Sequence, residues 1–133
     1  MFRKLFPIHL GAASFVWVLF SCQSGSGQNA LEPKDFNARL KKDTAAVLLD
    51  VRTPAEFAEG HLPGAHNIDF RDASFPDKVK NLDSSKTYYV YCRSGSRSAQ
   101  AAKFMRSAGF KTVYELNGGI LNWKENGLPL EKD

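Results

Sequence analysis

The stretch from Thr87 to Leu116 limits the possible folds more than any other part of the sequence. Thr87–Tyr91 and Thr112–Leu116 are short runs rich in β-branched, aromatic and aliphatic residues, which is typical of strands. Between them, apolar residues recur at i, i+3, i+4 and i+7, which predicts a helix over residues 96–108. These apolar residues are Ala101, Phe104, Met105 and Ala108. A strand, a helix and a second strand on such short connections predict an α/β domain with a parallel or mostly parallel sheet.

The same alternation of helices and strands runs through the preceding part of the chain. The sequence predicts helices over residues 33–41 and 76–82 and a short helical turn that opens at Thr53. It predicts strands over residues 45–51 and 65–68, of which the first is almost entirely apolar. An apolar run of that kind is typical of a strand buried on both faces of a parallel sheet. Ligands of such sheets bind beyond the carboxyl ends of the strands.

The first 21 residues have the organisation of an export signal. Arg3 and Lys4 precede an apolar segment, and the small Ser21 stands just before Cys22. The apolar segment covers ~16 residues, whereas a membrane-spanning helix needs about 20. We therefore expect a signal peptide over residues 1–21, and a permanent transmembrane anchor is the weaker alternative.

Cys22 and the residues after it indicate how an exported chain would be held. Leu19-Phe20-Ser21-Cys22 resembles the lipobox of bacterial lipoproteins, in which the cysteine carries the lipid, although Phe20 departs from the usual small or aliphatic residue. The polar, Ser/Gly-rich residues that follow are typical of a flexible tether over residues 22–30. We expect lipidation at Cys22, attachment to a bacterial membrane, and a domain over residues 31–133 that faces the periplasm. An ordinary signal peptide cut near Cys22 is the alternative.

The charge of the chain argues against nucleic acid as a partner. The net charge of +4 falls to about +2 once Arg3 and Lys4 leave with the signal. The remaining basic residues are interleaved with acidic ones, so the basic patch expected of a nucleic-acid-binding protein is missing. We expect small-molecule partners, a membrane contact through the N-terminal lipid only, and a monomer.

Cys92 is the candidate reactive residue. It ends a predicted strand, and a helix is predicted to begin after Arg93-Ser94-Gly95-Ser96-Arg97. A thiol at a helix N-terminus beside arginines has a stabilised thiolate, so its pKa should fall below the usual ~8.5. A short loop with a central glycine can also turn its amides inward and form an anion-binding cradle, to which both arginines add charge. The alternative is a buried cysteine that acts only as a small apolar residue.

Three separate stretches, in the right order, resemble the signatures of single-domain rhodaneses over nearly all of residues 31–131. The N-terminal stretch comprises Asp50-Val51-Arg52, Glu56-Phe57, Gly60-His61-Leu62-Pro63-Gly64-Ala65 and Asn67-Ile68. The active-site loop is Cys92-Arg93-Ser94-Gly95-Ser96-Arg97-Ser98. The C-terminal stretch is Gly118-Gly119-Ile120 with Trp123. The resemblance implies a rhodanese-like α/β domain of three layers, with a central, mostly parallel five-stranded sheet flanked by helices.

The resemblance also implies a chemistry for Cys92. In this family the cysteine takes the outer sulfur of a donor such as thiosulfate, releases sulfite, and holds a persulfide that a thiophilic acceptor removes. It implies that the amides of the loop steady the persulfide, that the two arginines favour an anionic donor, and that no cofactor and no metal are needed. Four residues separate Cys92 from Arg97, whereas related phosphatases and arsenate reductases have five, so phosphatase chemistry is a minor alternative.

Several other polar residues invite a catalytic interpretation that we do not adopt. Asp50, Arg52 and Glu56 form a charged group after a buried strand, where ion pairs commonly hold the following loop. His61 and His66 could serve Cys92 as a base, but histidines near turns are more often structural. The pair Gly118-Gly119 is expected to form a tight turn, with Trp123 as an apolar cover.

Two functions of different classes remain open on the sequence alone. The first is a sulfurtransferase that acts through Cys92, and the second is a catalytically silent, membrane-tethered binding module with the same fold. The intact loop around Cys92 favours the enzyme. With Cys22 lipidated, Cys92 would be the only free thiol, so its persulfide would pass to an external acceptor.

Overall fold

In residues 29–133, which the computed structural model describes, five strands alternate with five helices. The strands are β1 (Ala30–Leu31), β2 (Val47–Asp50), β3 (His66–Asn67), β4 (Thr87–Tyr91) and β5 (Thr112–Leu116). The helices are α1 (Pro33–Lys42), α2 (Pro54–Glu59), α3 (Phe75–Lys80), α4 (Ser96–Ser107) and α5 (Gly119–Glu125). The predicted signal peptide, Cys22 and nearly all of the predicted tether lie outside the described residues. Among the helices of residues 29–133, none has the length and apolarity that would let it cross a bilayer.

All five strands are parallel and lie in the order β1-β5-β4-β2-β3. Strand β4 is therefore central, with β2 on one side and β5 on the other. Because the strands are parallel, the segments that follow β2, β4 and β5 meet at one edge of the sheet. This edge carries Cys92, which comes directly after β4.

Strand β4 divides the core into two layers because successive side chains point to opposite faces. Tyr88, Val90 and Cys92 belong to one cluster, which includes the buried sides of α3 and α4. Tyr89 and Tyr91 belong to the other cluster, which includes buried residues of α1 and α5. The predicted fold class is therefore confirmed: helices cover both faces of a central parallel sheet.

The structure adds two elements that were not predicted, β1 and α5, and it shifts the ends of β2, β3, α1, α3 and α4 by one or two residues. Strand β2 begins at Val47 rather than at residue 45, because the amide of Ala46 bonds the Asp43 carbonyl in a turn. The two-residue strand β1 was not predicted; it begins at Ala30, one residue before the predicted start of the domain. Helix α5 follows β5 where only a tight turn was expected. These unpredicted elements are short, and contacts with β5 and the active-site loop hold them in place.

Candidate active site

The sulfur of Cys92 lies inside the loop between β4 and α4. Its side chain is about 1% exposed. The backbone N–H of Gly95 donates to Cys92 Sγ at 3.1 Å, and Ser98 Oγ lies 3.4 Å from the same sulfur. Cys92 therefore meets polar donors in an otherwise buried position, which is unlike the surroundings of an inert core cysteine.

Gly95 gives the loop its inward curl. It caps α4 with φ of +107°, in the left-handed region that residues with a side chain rarely adopt. In this conformation its amide points back to Cys92 Sγ, while its carbonyl accepts a hydrogen bond from Ser98 Oγ at 3.2 Å. The sequence-based prediction of a tightly curled loop with an inward amide agrees with this geometry.

The surroundings of Cys92 favour its thiolate. Burial is the largest single influence and raises the pKa of the thiol. Hydrogen bonds from the Ser98 hydroxyl and from the backbone amides of residues 94, 95 and 98 act in the opposite direction, and the net result is a pKa below the ordinary value. Ser98 was quoted only as part of the loop motif in the sequence, yet it is fully buried and contacts the sulfur.

Helix α5 holds the active-site loop through backbone hydrogen bonds. The N–H of Ile120 donates to the Cys92 carbonyl at 2.9 Å, and the N–H of Leu121 donates to the Arg93 carbonyl at 3.2 Å. Gly119 has φ of +63°, and a Cβ added there would lie 2.4 Å from the Arg93 oxygen and 2.6 Å from the Cys92 oxygen. Only glycine lets the two backbones approach so closely. Gly119 is thus part of the site, and its place soon after β5, the neighbour of β4 in the parallel sheet, was the available signal.

Arg97 and Arg93 lie in different surroundings. Both terminal nitrogens of Arg97 contact Glu56, with Nη1 2.7 Å from Oε2 and Nη2 2.8 Å from Oε1. This hydrogen bond is the largest influence on Glu56 and outweighs burial, so the pKa of the Glu56 carboxyl falls to about 2. Arg93, in contrast, is exposed. Arg93 is therefore the loop arginine that faces solvent without this carboxylate partner.

Asp50 and Arg52 form a buried pair next to the site. Arg52 Nη2 lies 2.6 Å from Asp50 Oδ2 and also donates to the Gly60 carbonyl at 2.8 Å. Tyr91 donates its hydroxyl to Asp50 Oδ2 at 2.6 Å and accepts a hydrogen bond from the Leu62 amide at 3.0 Å. Burial, followed by the charge of Asp50, raises the pKa of Tyr91. These contacts join the end of β2 to β4 and to the loop after α2, which is the structural role that the sequence suggests.

The two histidines near α2 lie in unlike environments. His61 is about 1% exposed, stacks on Phe57 with a centroid distance of 3.8 Å, and places Nδ1 3.1 Å from the Phe57 carbonyl. Its backbone pairs with Glu131, and its Nε2 lies 3.5 Å from carboxylate oxygens of Glu131 and Asp133. His66 is exposed on β3. His61 therefore fastens the C-terminal residues to the domain.

A cavity of about 620 Å³ lies between α3 and α4. Aromatic and apolar groups, including Phe70, Phe75 and Phe104, form much of its wall, and Cys92 does not line it. An anionic ligand is better matched by the amides of the loop than by this apolar wall. Within residues 29–133, no group of three or more His, Cys, Asp or Glu side chains is arranged to hold a metal ion.

Comparison with known proteins shows which family the chain resembles in sequence and in structure. The model of the Rhodanese-like domain matches residues 32–126. A sulfurtransferase of Allochromatium vinosum is 33% identical over 102 residues, which are 77% of this chain and 94% of that protein. Thiosulfate sulfurtransferase GlpE of Pseudomonas putida is 35% identical over 92 residues, with 69% of this chain and 82% of that protein covered. A rhodanese-related protein from Thermoplasma volcanium superposes with a TM-score of 0.70 at 31% identity, covering 79% of this chain and 99% of that one.

Proposed function

Since the chain belongs to the rhodanese-like domain family, we propose that it transfers sulfane sulfur through a persulfide on Cys92. Relatives that are named sulfurtransferases support a sulfurtransferase-type function. The observation that carries the proposal is the position of Cys92 Sγ, which receives the Gly95 amide and lies beside the Ser98 hydroxyl at the start of α4. These contacts stabilise a negative sulfur, and a thiolate is the form of cysteine that attacks another sulfur.

In the first step, the Cys92 thiolate attacks the outer sulfur of thiosulfate or a similar donor. A bond forms between Sγ and that sulfur, the sulfur–sulfur bond of the donor breaks, and sulfite leaves with the electron pair. The terminal sulfur of the resulting persulfide is anionic. Inward amides of the loop and the dipole of α4 stabilise this charge without any metal or organic cofactor.

In the second step, a thiophilic acceptor attacks the outer sulfur of the persulfide. Cyanide would leave as thiocyanate, and a thiolate would leave as a new persulfide; in both cases Cys92 returns as the thiolate. In the described residues Cys92 is the one free cysteine, so within that part of the chain no second thiol can take up the sulfur. We therefore propose that the sulfur passes to an external acceptor, which is a small thiol, a sulfite-like anion or another protein.

Arg93 is the residue best placed to favour an anionic donor. Its side chain is exposed at the loop that holds Cys92, whereas the charge of Arg97 is balanced by Glu56. An exposed guanidinium attracts anions and can donate two hydrogen bonds to a sulfonate-like group. Replacing Arg93 with Gln should raise KM for thiosulfate and leave the reactivity of Cys92 unchanged.

The test of the proposed function uses the chain from residue 23 onward and the variant Cys92→Ser. Each protein is incubated with thiosulfate, its intact mass is measured, and thiocyanate is followed after cyanide is added. We expect a gain of one sulfur atom on the native protein, none on the variant, and thiocyanate that depends on Cys92. A folded native protein with a titratable thiol but no adduct and no turnover would favour the catalytically silent binding module.

We further propose that the protein is exported and held at a bacterial membrane by a lipid on Cys22. Support comes from the order of the basic start, the apolar segment, Ser21-Cys22 and the Ser/Gly-rich residues that follow. The test is expression of the full chain in a bacterium, with fractionation and mass analysis of the mature N-terminus. The proposal requires a mature N-terminus at a lipid-modified Cys22 in the membrane fraction, and loss of both the lipid and this cleavage in a Cys22→Ser variant. A mature chain that begins elsewhere would favour an ordinary signal peptide.

A further inference from the structure

Glu56 connects α2 to the loop that carries Cys92, although the two lie far apart in the sequence. Its carboxylate accepts two hydrogen bonds from Arg97 and two from Thr53, whose amide and hydroxyl both lie 3.0 Å from Oε2. The Glu56 amide in turn donates to Thr53 Oγ1 at 3.3 Å, which completes a capping box at the start of α2. The capping box therefore fixes the position of the Glu56 carboxylate independently of its contact with Arg97.

Arg97 lies between the two groups that contact the sulfur. Gly95 comes two positions before it and supplies the amide at 3.1 Å, and Ser98 follows it directly and supplies the hydroxyl at 3.4 Å. The side chains of Arg97 and Glu56 are 13% and 25% exposed, so the pair is largely withdrawn from solvent. A bidentate pair of this kind fixes direction as well as distance.

From this arrangement we propose that Glu56 is a positioning residue for Cys92: through Arg97 it braces the first turn of α4, so that Gly95 and Ser98 keep their donors on the sulfur. Glu56 itself contacts Arg97 and not the Cys92 thiol, so it would act on the reaction only through Arg97. The inference rests on the proposed function only in taking Cys92 as the reacting thiol.

The brace and a purely electrostatic role predict opposite signs for the same variant. Glu56→Ala leaves the Arg97 cation without its countercharge, so an effect of charge alone would stabilise the thiolate further and lower the pKa of Cys92. If Glu56 acts by bracing the turn, its loss loosens the donors and raises the pKa of Cys92. The direction of the change therefore distinguishes the two roles.

The experiment measures the rate of alkylation of Cys92 by iodoacetamide as a function of pH, in the full domain from residue 23 onward. We expect Glu56→Ala to move the midpoint upward by about half a pH unit, which makes alkylation about threefold slower at neutral pH. Glu56→Gln can accept only one of the two hydrogen bonds from Arg97, so the brace is weakened rather than lost and the rise should be smaller. Glu59→Ala is the matched control, because Glu59 is an exposed carboxylate on the same helix, and it should leave the midpoint unchanged.

Two further measurements complete the test. Arg97→Ala should raise the midpoint at least as far as Glu56→Ala does, because it removes the cation as well as the brace. The midpoint of the double variant Glu56→Ala/Arg97→Ala should be no higher than that of Arg97→Ala alone, because the brace is already lost. A midpoint that falls, or that matches the Glu59→Ala control in both Glu56 variants, would overturn the proposal. If Glu56→Ala does not fold, Glu56→Asp decides, because it keeps the charge and shortens the side chain that reaches Arg97: a raised midpoint supports the brace, and an unchanged midpoint overturns it.

Alkylation does not require sulfur transfer, so the two proposals can fail separately. A shifted midpoint together with no thiocyanate from the native protein would contradict the proposed function and leave the brace standing. Normal thiocyanate release from the native protein, together with an unshifted midpoint in the Glu56 variants, would support the proposed function and contradict the brace.

Discussion

The backbone amide of Ile120 donates a hydrogen bond to the carbonyl oxygen of Cys92 at 2.9 Å. The last helix thus holds the residue that carries the candidate nucleophile, and the next amide, from Leu121, holds Arg93 in the same way. Because α5 also packs Ile120 and Trp123 into the core, the position of the loop depends on the packing of the helix behind it. Substitutions in α5 should therefore affect the reactivity of Cys92.

Gly119→Ala should damage both stability and reactivity. Its Cβ would lie 2.4 Å from the Arg93 oxygen, and φ of +63° is unfavourable for alanine. We expect a loss of about 3 kcal/mol in the free energy of unfolding, from backbone strain together with the displaced loop. Denaturation by urea measures the first effect, and alkylation of Cys92 measures the second.

Gly127→Ala is the matched control for that variant. Gly127 has a similar φ of +67°, but a Cβ there would meet nothing within 4 Å. The control should lose only about 1 kcal/mol and keep the native rate of alkylation. Equal losses in the two variants would mean that the approach of Gly119 to the loop has no effect of its own.

Ser98→Ala should raise the pKa of Cys92. The Ser98 hydroxyl is buried, lies 3.4 Å from Sγ and is one of the groups that lower the pKa of the thiol. Its removal should slow alkylation at neutral pH by roughly threefold to tenfold, since one pKa unit corresponds to a tenfold change. Ser107→Ala, at the exposed end of the same helix, should leave the rate unchanged. A native rate in Ser98→Ala would exclude the hydroxyl as a stabiliser of the thiolate.

The pH dependence of sulfur loading should follow the lowered pKa of Cys92. Loading by thiosulfate should rise with pH and level off below the ordinary thiol range of ~8.5, because the folded loop favours the thiolate. A group whose pKa is lower in the folded state adds stability above its unfolded pKa and loses that contribution as pH falls through its folded pKa. Native protein should therefore gain stability relative to Cys92→Ser as pH rises. Identical stability profiles for the two proteins would contradict a lowered pKa.

Arg52→Met should destabilise the fold and leave the chemistry of Cys92 nearly intact. The substitution leaves Asp50 buried without the guanidinium that lies 2.6 Å from its carboxylate. Removing one partner of a buried pair costs about 3–5 kcal/mol, which urea denaturation would detect. Lys78→Met is the control, because it breaks a 3.7 Å pair between exposed side chains. It should leave the urea concentration at the midpoint of unfolding unchanged. A large change in the alkylation midpoint of Arg52→Met would assign Arg52 a direct role in the site.

The parts of the fold that were predicted correctly are those with strong local patterns. Strands β4 and β5 have the predicted bounds, and α4 ends one residue before its predicted end, because apolar periodicity and the flanking glycines are visible within a short window. The position of Cys92 after a central strand, and the inward curl at Gly95, were also predictable from that window. Strand β1 was missed because two residues carry no periodicity, and helix α5 was missed because the pair Gly118-Gly119 at its start predicts a turn.

By itself the sequence determined the α/β class, the order of most elements and the identity of the candidate nucleophile, because each of these depends on neighbours along the chain. Only the tertiary structure decided that Arg97 faces Glu56, 41 positions away, while Arg93 faces solvent, and that Gly119 must be glycine because the Arg93 backbone lies against it. Such relations arise where parallel strands bring distant loops to one edge of the sheet, and no local pattern of residues records which side chains meet there.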